Sequence, residues 1–371
     1  MAQQHGRTVV ALPLEGSGHD CEHDHATLED YARTLAGLLG CRAGGVYEPG
    51  RAYDGPLYFV PAETLHAQQA ARLGIRGPED LFGGVVPHPV VATKAITHPC
   101  LAGGAAPPDG WSDEFPRRVE EAVLPGFTIF SHDDAREAGR RLLELGPVRV
   151  KPVRACGGRG QSVARDAGEL QAQLADLDAG ELQGHGLVLE QHLEQVRTFS
   201  VGQVRVGGLV ASYYGQQRLT RSNDGEEVFG GSDLTVVRGG FEALADLHPK
   251  PELRQAVQQA RRFDEAAHAC FPGFFASRSN YDIVLGQDPG GRWRSGVLEQ
   301  SWRAGGATGP ELAALTAFRL DLSLATVRAR SIEVFGESEA PPPHAHVHFR
   351  GHDRKVGPLT KYTVVEGHVD A

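Results

Sequence analysis

The amino-acid sequence predicts an α+β protein that begins with an α/β layer. Three observations support this fold class. Residues 7–90 alternate strand-like and helix-like segments, which is typical of a parallel α/β layer. Residues 148–166 and 281–301 each have the pattern of two strands joined by a glycine-containing turn, which predicts hairpins. A chain of 371 residues is long enough to bury the core of two or three subdomains.

The N-terminal elements follow from local patterns. RTVVALPL and PLYFVP predict strands, and TLEDYARTLAGLL and ETLHAQQAARLGI predict helices. The Gly/Pro-rich segment 102–110 indicates a loop or a boundary. A helix is predicted over 131–145, because Ser131 is a suitable N-cap and acidic residues fill the first turn.

The first hairpin carries a lysine and a glycine loop. Lys151 projects from the face opposite Val148 and Val150, and the loop GGRG follows it. Glycines let backbone N–H groups turn toward an anion, so this hairpin tip could cover phosphates. The lysine precedes the glycines, which excludes a Walker A loop, and a strand follows them, which excludes a dinucleotide fingerprint. Glycine-rich hairpin tips are also common without any ligand.

Further along, LVLEQHL and RTFSVGQVRVGGLVASYYG predict strands. The segment 215–240 is rich in glycine and is interpreted as a substrate loop. Helices are predicted over 252–271 and 310–331. A triple proline precedes a histidine-rich tail, in which GPLTKYTVV is expected to pack as a strand on the main body or on a partner chain.

The second hairpin brings two acids together. If its turn is a two-residue loop at 290–291, Asp282 lies directly opposite Glu299, with Cβ atoms about 4.5–5.5 Å apart. Two carboxylates that close repel each other unless a cation lies between them, and oxygen ligands favour Mg²⁺ or Mn²⁺. Ser301 and Arg303 follow on the same face. An exposed hairpin with solvated acids is the alternative, but two acids in register among apolar residues favour the metal.

Composition excludes several classes of function. A formal net charge of −10 argues against a general nucleic-acid-binding protein. The longest apolar runs are far shorter than a membrane span, and the N-terminus lacks the pattern of a signal peptide. Five scattered cysteines without a CxxC motif indicate a reducing compartment, so we expect a cytoplasmic protein.

The order of these features resembles the ATP-grasp superfamily. A first lysine in VVATKAITHP, the strand lysine in VRVKP, the GGRG loop, the strand LVLEQHL and the Asp…Glu-x-Ser-x-Arg hairpin occur in the order typical of that superfamily. The resemblance covers about 85–330, and the segment before it looks like the domain that usually precedes this fold. The chain is also similar to a bacterial branch of the superfamily known as a domain of unknown function.

The resemblance implies an ATP-grasp fold that holds ATP, with Mg²⁺ or Mn²⁺, between two α+β lobes. It implies a pre-ATP-grasp domain over 1–90, a central lobe over 91–186, a C-terminal lobe over 187–335 and a tail over 336–371. Implied nucleotide contacts are Lys94, Lys151, Gly157, Gly158, Arg159, Gly160, Glu190, Gln191, Leu193 and Glu194. Implied metal ligands are Asp282, Glu299 and Ser301. Arg303 and Lys151 would stabilise the phosphoryl group during transfer.

Two residues depart from the family pattern. Many relatives have a ribose-binding glutamate after the strand that corresponds to LVLEQHL, where this chain has Thr198, so Glu194 is the candidate for that contact. The last metal ligand is usually asparagine and is Ser301 here, which leaves the number of metal ions open.

The implied activity is that of an ATP-dependent ligase that joins a carboxylate to an amine or a similar nucleophile. Arg218, Arg221 and Arg238 could bind an acidic substrate, or they could be ordinary surface charges. A small-molecule kinase on the same fold and a non-catalytic nucleotide-binding regulator remain alternatives. We expect small-molecule substrates, no nucleic acid and no membrane, and we leave a homodimer open.

Two histidine-rich segments could in principle bind a metal such as Zn²⁺ or Cu²⁺. The first contains His19, Cys21, His23 and His25, and the second contains His344, His346 and His348. The spacing matches no standard zinc module. We therefore expect structural or solvated histidines in both segments.

Overall fold

The computed structural model describes residues 6–14, 21–154, 160–247, 249–337 and 340–370. Three predicted nucleotide contacts, Gly157, Gly158 and Arg159, lie outside the described residues, as does His19 of the first histidine-rich segment.

The secondary structure mixes eight α-helices with eighteen strands over the described ranges. The helices are α1 (Glu22–Leu39), α2 (Ala67–Leu73), α3 (Glu114–Val119), α4 (His132–Leu143), α5 (Ala167–Ala175), α6 (Ala179–His185), α7 (Pro251–Cys270) and α8 (Thr308–Leu320). The strands are β1 (Thr8–Leu12), β2 (Arg42–Val46), β3 (Leu57–Pro61), β4 (Leu65–His66), β5 (Gly84–Val86), β6 (Gly126–Ile129), β7 (Val148–Pro152), β8 (Ser162–Ala164), β9 (Leu187–Gln191), β10 (Glu194–Val206), β11 (Leu209–Arg221), β12 (Glu227–Arg238), β13 (Phe275–Ala276), β14 (Arg278–Gln287), β15 (Trp293–Ser301), β16 (Leu324–Phe335), β17 (His346–Asp353) and β18 (Gly357–Asp370).

The N-terminal layer is the parallel α/β unit that the sequence predicts. β1 lies between β2 and β3 and pairs with both in parallel. Helix α1 buries Leu28, Tyr31 and Leu35 in a core that also contains residues of β1, α8 and β16. This shared core joins the N-terminal layer to the C-terminal half of the chain.

The largest sheet has eight strands in the order β15-β14-β10-β11-β12-β16-β18-β17, and all its pairs are antiparallel. The C-terminal tail supplies β17 and β18, and β18 pairs with β16. Of the two packing modes considered for GPLTKYTVV, the structure therefore has the strand on the main body.

A four-stranded sheet in the order β6-β9-β7-β8 carries the first hairpin. Helices α4, α5 and α6 supply its apolar cover, with Leu142, Leu170 and Leu182 buried against the strands. Ser131 caps α4 as predicted, because its side chain accepts a hydrogen bond from the backbone N–H of Asp134.

Two predicted elements are wrong. The last helix ends at Leu320 rather than at residue 331, and the β-branched, alternating residues that follow form β16, buried at Thr326 and Val327. The segment 215–240 is mostly the β11–β12 hairpin rather than a loop, because cross-strand pairing absorbs its glycines.

A buried ion pair fixes α8 against β14. The guanidinium of Arg278 donates to both carboxylate oxygens of Glu311, with the shortest contact at 2.8 Å, and the two side chains are 1% and 0% exposed. Arg278 also donates to the carbonyl oxygens of Ser301 and Arg303. This network therefore sets the end of β15, where two predicted site residues lie.

Among the described residues, no helix combines the length and the apolar character needed to cross a bilayer.

Glu311→Gln should destabilise the protein by about 3–5 kcal/mol, because it leaves the buried charge of Arg278 without a counter-ion. The shift of the urea unfolding midpoint measures this loss. Arg261→Ala is the matched control, since Arg261 forms an exposed ion pair with Glu265, and such pairs contribute about 0–1 kcal/mol. Equal effects of the two substitutions would contradict the structural role of the buried pair.

Candidate nucleotide and metal site

One cavity of about 800 Å³ lies between the four-stranded and eight-stranded sheets. A volume of this order suits a nucleotide-sized ligand. Its wall includes the following predicted site residues: Lys151, Gly160, Glu190, Gln191, Leu193, Asp282, Glu299, Ser301 and Arg303. The fold thus brings together most of the described residues that the sequence singled out.

Asp282 and Glu299 are cross-strand partners on β14 and β15, as predicted. The turn, however, is longer than the predicted two-residue loop, because the strands end at Gln287 and Trp293. A β-bulge between Asp282 and Ile283 compensates for the longer turn and restores the pairing. The predicted pairing of Asp282 with Glu299 is therefore present, but it results from a longer turn combined with a bulge.

The extra residue of this bulge is Leu298, and its carbonyl oxygen accepts a hydrogen bond from the Lys151 ammonium at 3.1 Å. Lys151 lies on β7 in the other sheet and is 2% exposed. The bulge thus supplies a backbone acceptor that ties the two walls of the cavity together.

Polar side chains on three neighbouring strands surround Asp282. The Asn280 amide donates to Asp282 Oδ1 at 2.9 Å, and the Gln217 amide donates to the Ser200 hydroxyl at 3.0 Å, which itself lies 3.5 Å from Asp282 Oδ1. Burial and the nearby charge of Glu299 raise the pKa of Asp282 to about 6. The site therefore holds two close acids, one of which ionises with difficulty.

Two basic residues offset the charge of Glu299. Lys94, in a short 3₁₀ helix and 5% exposed at its side chain, lies 2.7 Å from Glu299 Oε2. Burial opposes ionisation of Glu299, but the charges of Lys94 and Lys151 outweigh it and hold the pKa of that carboxyl below its usual value. Arg303 adds a further favourable charge from the end of the hairpin.

Lys151 also lies 3.1 Å from Glu190 Oε1 on β9. The second carboxylate oxygen of Glu190 contacts the His98 ring nitrogen at 3.3 Å. Burial raises the pKa of Glu190, but Lys151 and His98 outweigh this effect and lower it to about 2. Both oxygens of Glu190 therefore already have partners, so the nucleotide contact that the resemblance implies for this residue would have to share one of them.

An apolar shelf lies beside strand β9. Leu124, Leu193 and Val284 form a small buried cluster, against which Leu298 packs, and all four residues line the cavity.

The backbone N–H of Gln191 donates to the carbonyl of Pro125 at 2.8 Å. A contact from the Gln191 backbone to an adenine would therefore have to use its carbonyl oxygen.

Ser301 lines the cavity opposite Asn280. Its hydroxyl oxygen accepts a hydrogen bond from Arg278 at 3.3 Å, so a guanidinium competes with any metal for that atom. Asn280 was missed by the sequence reasoning, although its position two residues before Asp282 on one strand places it on the same face.

Five of the predicted ligands that the structure describes are not among the residues that line the cavity, and one of them, Lys94, reaches the site through its contact with Glu299. Glu194 is exposed at the start of β10, whereas Thr198 does line the wall. Arg218 pairs with Asp233, and Arg221 donates to the Gly225 carbonyl across its turn. Arg238 packs over Phe318 and donates to carbonyls at the end of α8, which is a structural role.

The far end of the cavity was not predicted at all. Its wall is the start of α1 together with β16 and β18, and it contains His23, Asp24, Glu333 and Lys361. Lys361 lies 3.2 Å from Asp24 and 3.3 Å from Glu333. These residues are distant from the hairpins in sequence, so no local pattern indicated that they would line the same cavity.

The cavity thus has three chemically different parts, which are an apolar shelf, a charged centre and a polar far end. The shelf suits a flat base, and the lysines and Arg303 suit phosphates. Asp282 and Glu299 offer the oxygen ligands that Mg²⁺ prefers, and a cation between them would offset the burial and the repulsion from Glu299 that raise the pKa of Asp282. The described residues therefore fit a magnesium-bound nucleotide.

The family model described as "Protein of unknown function (DUF3182)" matches residues 11–363, so the chain belongs to that family. A search of curated proteins gave no match.

Solved structures show which fold this chain has. N5-carboxyaminoimidazole synthetase from Staphylococcus aureus, in complex with ADP, is similar with a TM-score of 0.54 at 12% identity, over 98% of this chain and 94% of that one. The biotin carboxylase domain of 2-oxoglutarate carboxylase from Hydrogenobacter thermophilus, bound to MgADP and bicarbonate, gives 0.53 at 14%, over 96% and 86%. D-alanyl-alanine synthetase A from Vibrio cholerae gives 0.52 at 10%, over 80% and 89%. The chain has the ATP-grasp fold, as its sequence predicted.

Asp282→Asn should stabilise the metal-free protein at neutral pH. The pKa of Asp282 is about 6 in the folded chain and about 3.9 when unfolded, so the folded state binds more protons between these values. Stability is therefore lost as pH rises through that window, and the variant escapes the loss. Urea midpoints measured in the presence of a chelator, from about pH 4 to about pH 7, should diverge in favour of the variant.

Asp288→Asn in the same hairpin is the control of opposite sign. A hydrogen bond from the backbone N–H of Arg292 holds the pKa of Asp288 below its usual value, so its contribution is present at neutral pH and is lost in acid. This variant should be weakened most at neutral pH. Parallel pH profiles for both variants would contradict the environment described for Asp282.

Proposed function

We propose that this DUF3182 protein is an ATP-dependent ligase that activates a carboxylate as an acyl phosphate and transfers the acyl group to an amine or a similar nucleophile. The observation that carries this proposal is the charged centre of the cavity. Asp282 and Glu299 lie opposite each other, with Lys94 2.7 Å from Glu299 and Arg303 on the same wall. This arrangement suits a metal-bound polyphosphate whose terminal group is transferred.

The nucleotide would lie with its base on the shelf of Leu124, Leu193, Val284 and Leu298, and with its phosphates toward Lys151 and Arg303. Asp282 and Glu299 would hold Mg²⁺, which when bound offsets negative charge on the phosphates. Lys94 would then move from Glu299 to a phosphate oxygen, since the metal would take over its present partner. Gly160 would belong to the loop that covers the phosphates.

In the first step, an oxygen of the substrate carboxylate attacks the γ-phosphorus. The bond from that phosphorus to the bridging oxygen breaks, and ADP leaves with the electron pair. In the second step, the nucleophile attacks the acyl carbon, phosphate leaves, and an amine nucleophile loses one proton. The protein mainly positions the groups and stabilises the charge that develops on the phosphoryl oxygens.

The acceptor would occupy the far end of the cavity. Asp24 and Glu333 share the single ammonium of Lys361 there, at 3.2 and 3.3 Å, so acidic groups exceed basic ones in this cluster. That balance favours a nucleophile that carries an amine. Similar folds bound to ADP or MgADP are consistent with the nucleotide half of the proposal.

The direct test is ATP turnover with Mg²⁺ in the presence of pooled small carboxylates and amines, with ADP and new masses as the readouts. ADP that forms only with a carboxylate–amine pair, together with a condensed product, is the expected result. ADP together with a stable phosphorylated product would contradict the ligase and favour a kinase on the same fold.

Arg303→Ala should reduce turnover by about 10²–10³-fold, because a preorganised charge next to the transferred group is lost. Arg303 is partly exposed, and its guanidinium donates a hydrogen bond to the neighbouring Ala304 carbonyl, so the fold should tolerate the change. Lys151→Ala is a poorer test, since it would leave Glu190 buried without its ion pair.

Arg218→Ala is the matched control, because Arg218 pairs with Asp233 outside the cavity lining. It should leave both turnover and its dependence on carboxylates unchanged. A loss in Arg218→Ala as large as that in Arg303→Ala would contradict the assignment of Arg303.

A further inference from the structure

Two histidines of β17 and one aspartate of α1 converge on a single point. His346 Nε2 lies 2.6 Å from Asp30 Oδ2, and His348 Nδ1 lies 2.8 Å from the same oxygen. Of the two alternatives expected for these histidines, structural or solvated, His348 fits the structural one, because its side chain is 6% exposed, and Asp30 is 9% exposed. Three potential metal-ligand atoms from distant parts of the chain thus lie within 4.8 Å of one another.

The local backbone aims these side chains. His346 and His348 are two residues apart, and β17 has a register shift between Val347 and Phe349 where it pairs with β18. His348 is the extra residue at that bulge, and bulges redirect side chains. The edge of the Tyr31 ring packs on His348 with ring centroids 5.0 Å apart, which restricts the rotation of the imidazole.

His348 and Asp30, the two buried groups, each make a further contact through their second polar atom. The second nitrogen of His348, Nε2, lies 2.8 Å from the Thr363 hydroxyl. The second oxygen of Asp30, Oδ1, accepts a hydrogen bond from Arg33 at 2.8 Å. Such outer contacts are typical of metal centres, where they fix the tautomer and orientation of each ligand.

We propose that Asp30, His346 and His348 form a binding site for Zn²⁺ or a similar first-row divalent cation, separate from the nucleotide site. Two imidazoles and one carboxylate are a donor set that such ions bind well, with water in the remaining position. The His346 side chain is 56% exposed, which gives the ion and its water access from solvent. The present nitrogen–oxygen contacts are hydrogen-bond distances, so the ligands would separate slightly around an ion.

An ion at this site would connect the C-terminal hairpin of β17 and β18 to helix α1 of the N-terminal layer. Asp30 belongs to α1, and both histidines belong to β17, which pairs with β18. β18 carries Lys361 at the far end of the cavity, where His348 also lines the wall. An ion at this point would therefore hold in place the wall that we assign to the acceptor substrate.

The test is titration of the full-length, chelator-treated protein with Co²⁺, which reports its ligands by visible absorption, and with Zn²⁺ by calorimetry. We expect one ion bound with nitrogen and oxygen ligands and without the charge-transfer band of a thiolate. His346→Ala and Asp30→Asn should each weaken binding at least about tenfold. His346 is exposed, so its variant should keep the native circular dichroism spectrum.

Two control variants make the assignment specific. His344→Ala changes an exposed histidine of the same segment that lies before β17, and Asp282→Asn removes an acid of the nucleotide site. Both should retain the Co²⁺ spectrum. Absence of metal binding in the wild type would mean that hydrogen bonds alone hold this cluster together, and it would overturn the proposal. Equal binding in His346→Ala and the wild type would also overturn it. A thiolate band would instead point to the cluster of Cys21, His23 and Asp24 and would also overturn it.

Discussion

The repulsion between Asp282 and Glu299 is the constraint around which the cavity is arranged. Their register on neighbouring strands fixes the two carboxylates opposite each other in a largely buried site. Lys94 offsets the charge of Glu299, and the Asn280 amide donates a hydrogen bond to Asp282. These contacts do not fully compensate the repulsion, because the pKa of Asp282 remains raised to about 6. A buried acid kept in this state costs stability unless it binds a cation, and the metal site that we propose rests on this observation.

Two buried basic side chains, Arg278 and Lys151, hold this pair of acids in place. Arg278 joins Glu311 of α8 to the backbone at the end of β15, so the hairpin that carries both acids is anchored from behind. Lys151 contacts Glu190 in one sheet and the Leu298 carbonyl in the other, each at 3.1 Å. A nucleotide phosphate that bound Lys151 would therefore compete with the two contacts through which Lys151 connects the walls of the cavity.

Much of this arrangement could be predicted from the sequence, and the exceptions have physical causes. The pairing of Asp282 with Glu299 was predicted with a turn that was too short, and it is present because a bulge at Leu298 compensates for the longer loop. Neither feature has a strong local signal. The helix predicted to residue 331 ends at Leu320, because a helical pattern cannot reveal that the next segment will find partner strands in β12 and β18.

Contacts between distant segments were beyond the reach of local patterns. Arg238 looked like a substrate ligand because it lies in a glycine-rich segment with other arginines, yet it donates to the end of α8. The far end of the cavity joins Asp24 with Lys361, and the cluster at Asp30 joins α1 with β17. The alternating histidines of HAHVHF were visible in the sequence, but their carboxylate partner, more than three hundred residues away, was not.

The most direct test of the central claim is calorimetric binding of a non-hydrolysable ATP analogue, with and without Mg²⁺, to the wild type and to Asp282→Asn. If the two acids hold a metal-bound nucleotide, Mg²⁺ should strengthen binding to the wild type, and the variant should lose most of that gain. Glu333→Gln, at the far end of the cavity, should keep it. An equal effect of Mg²⁺ on the wild type and Asp282→Asn, or no nucleotide binding at all, would contradict the account.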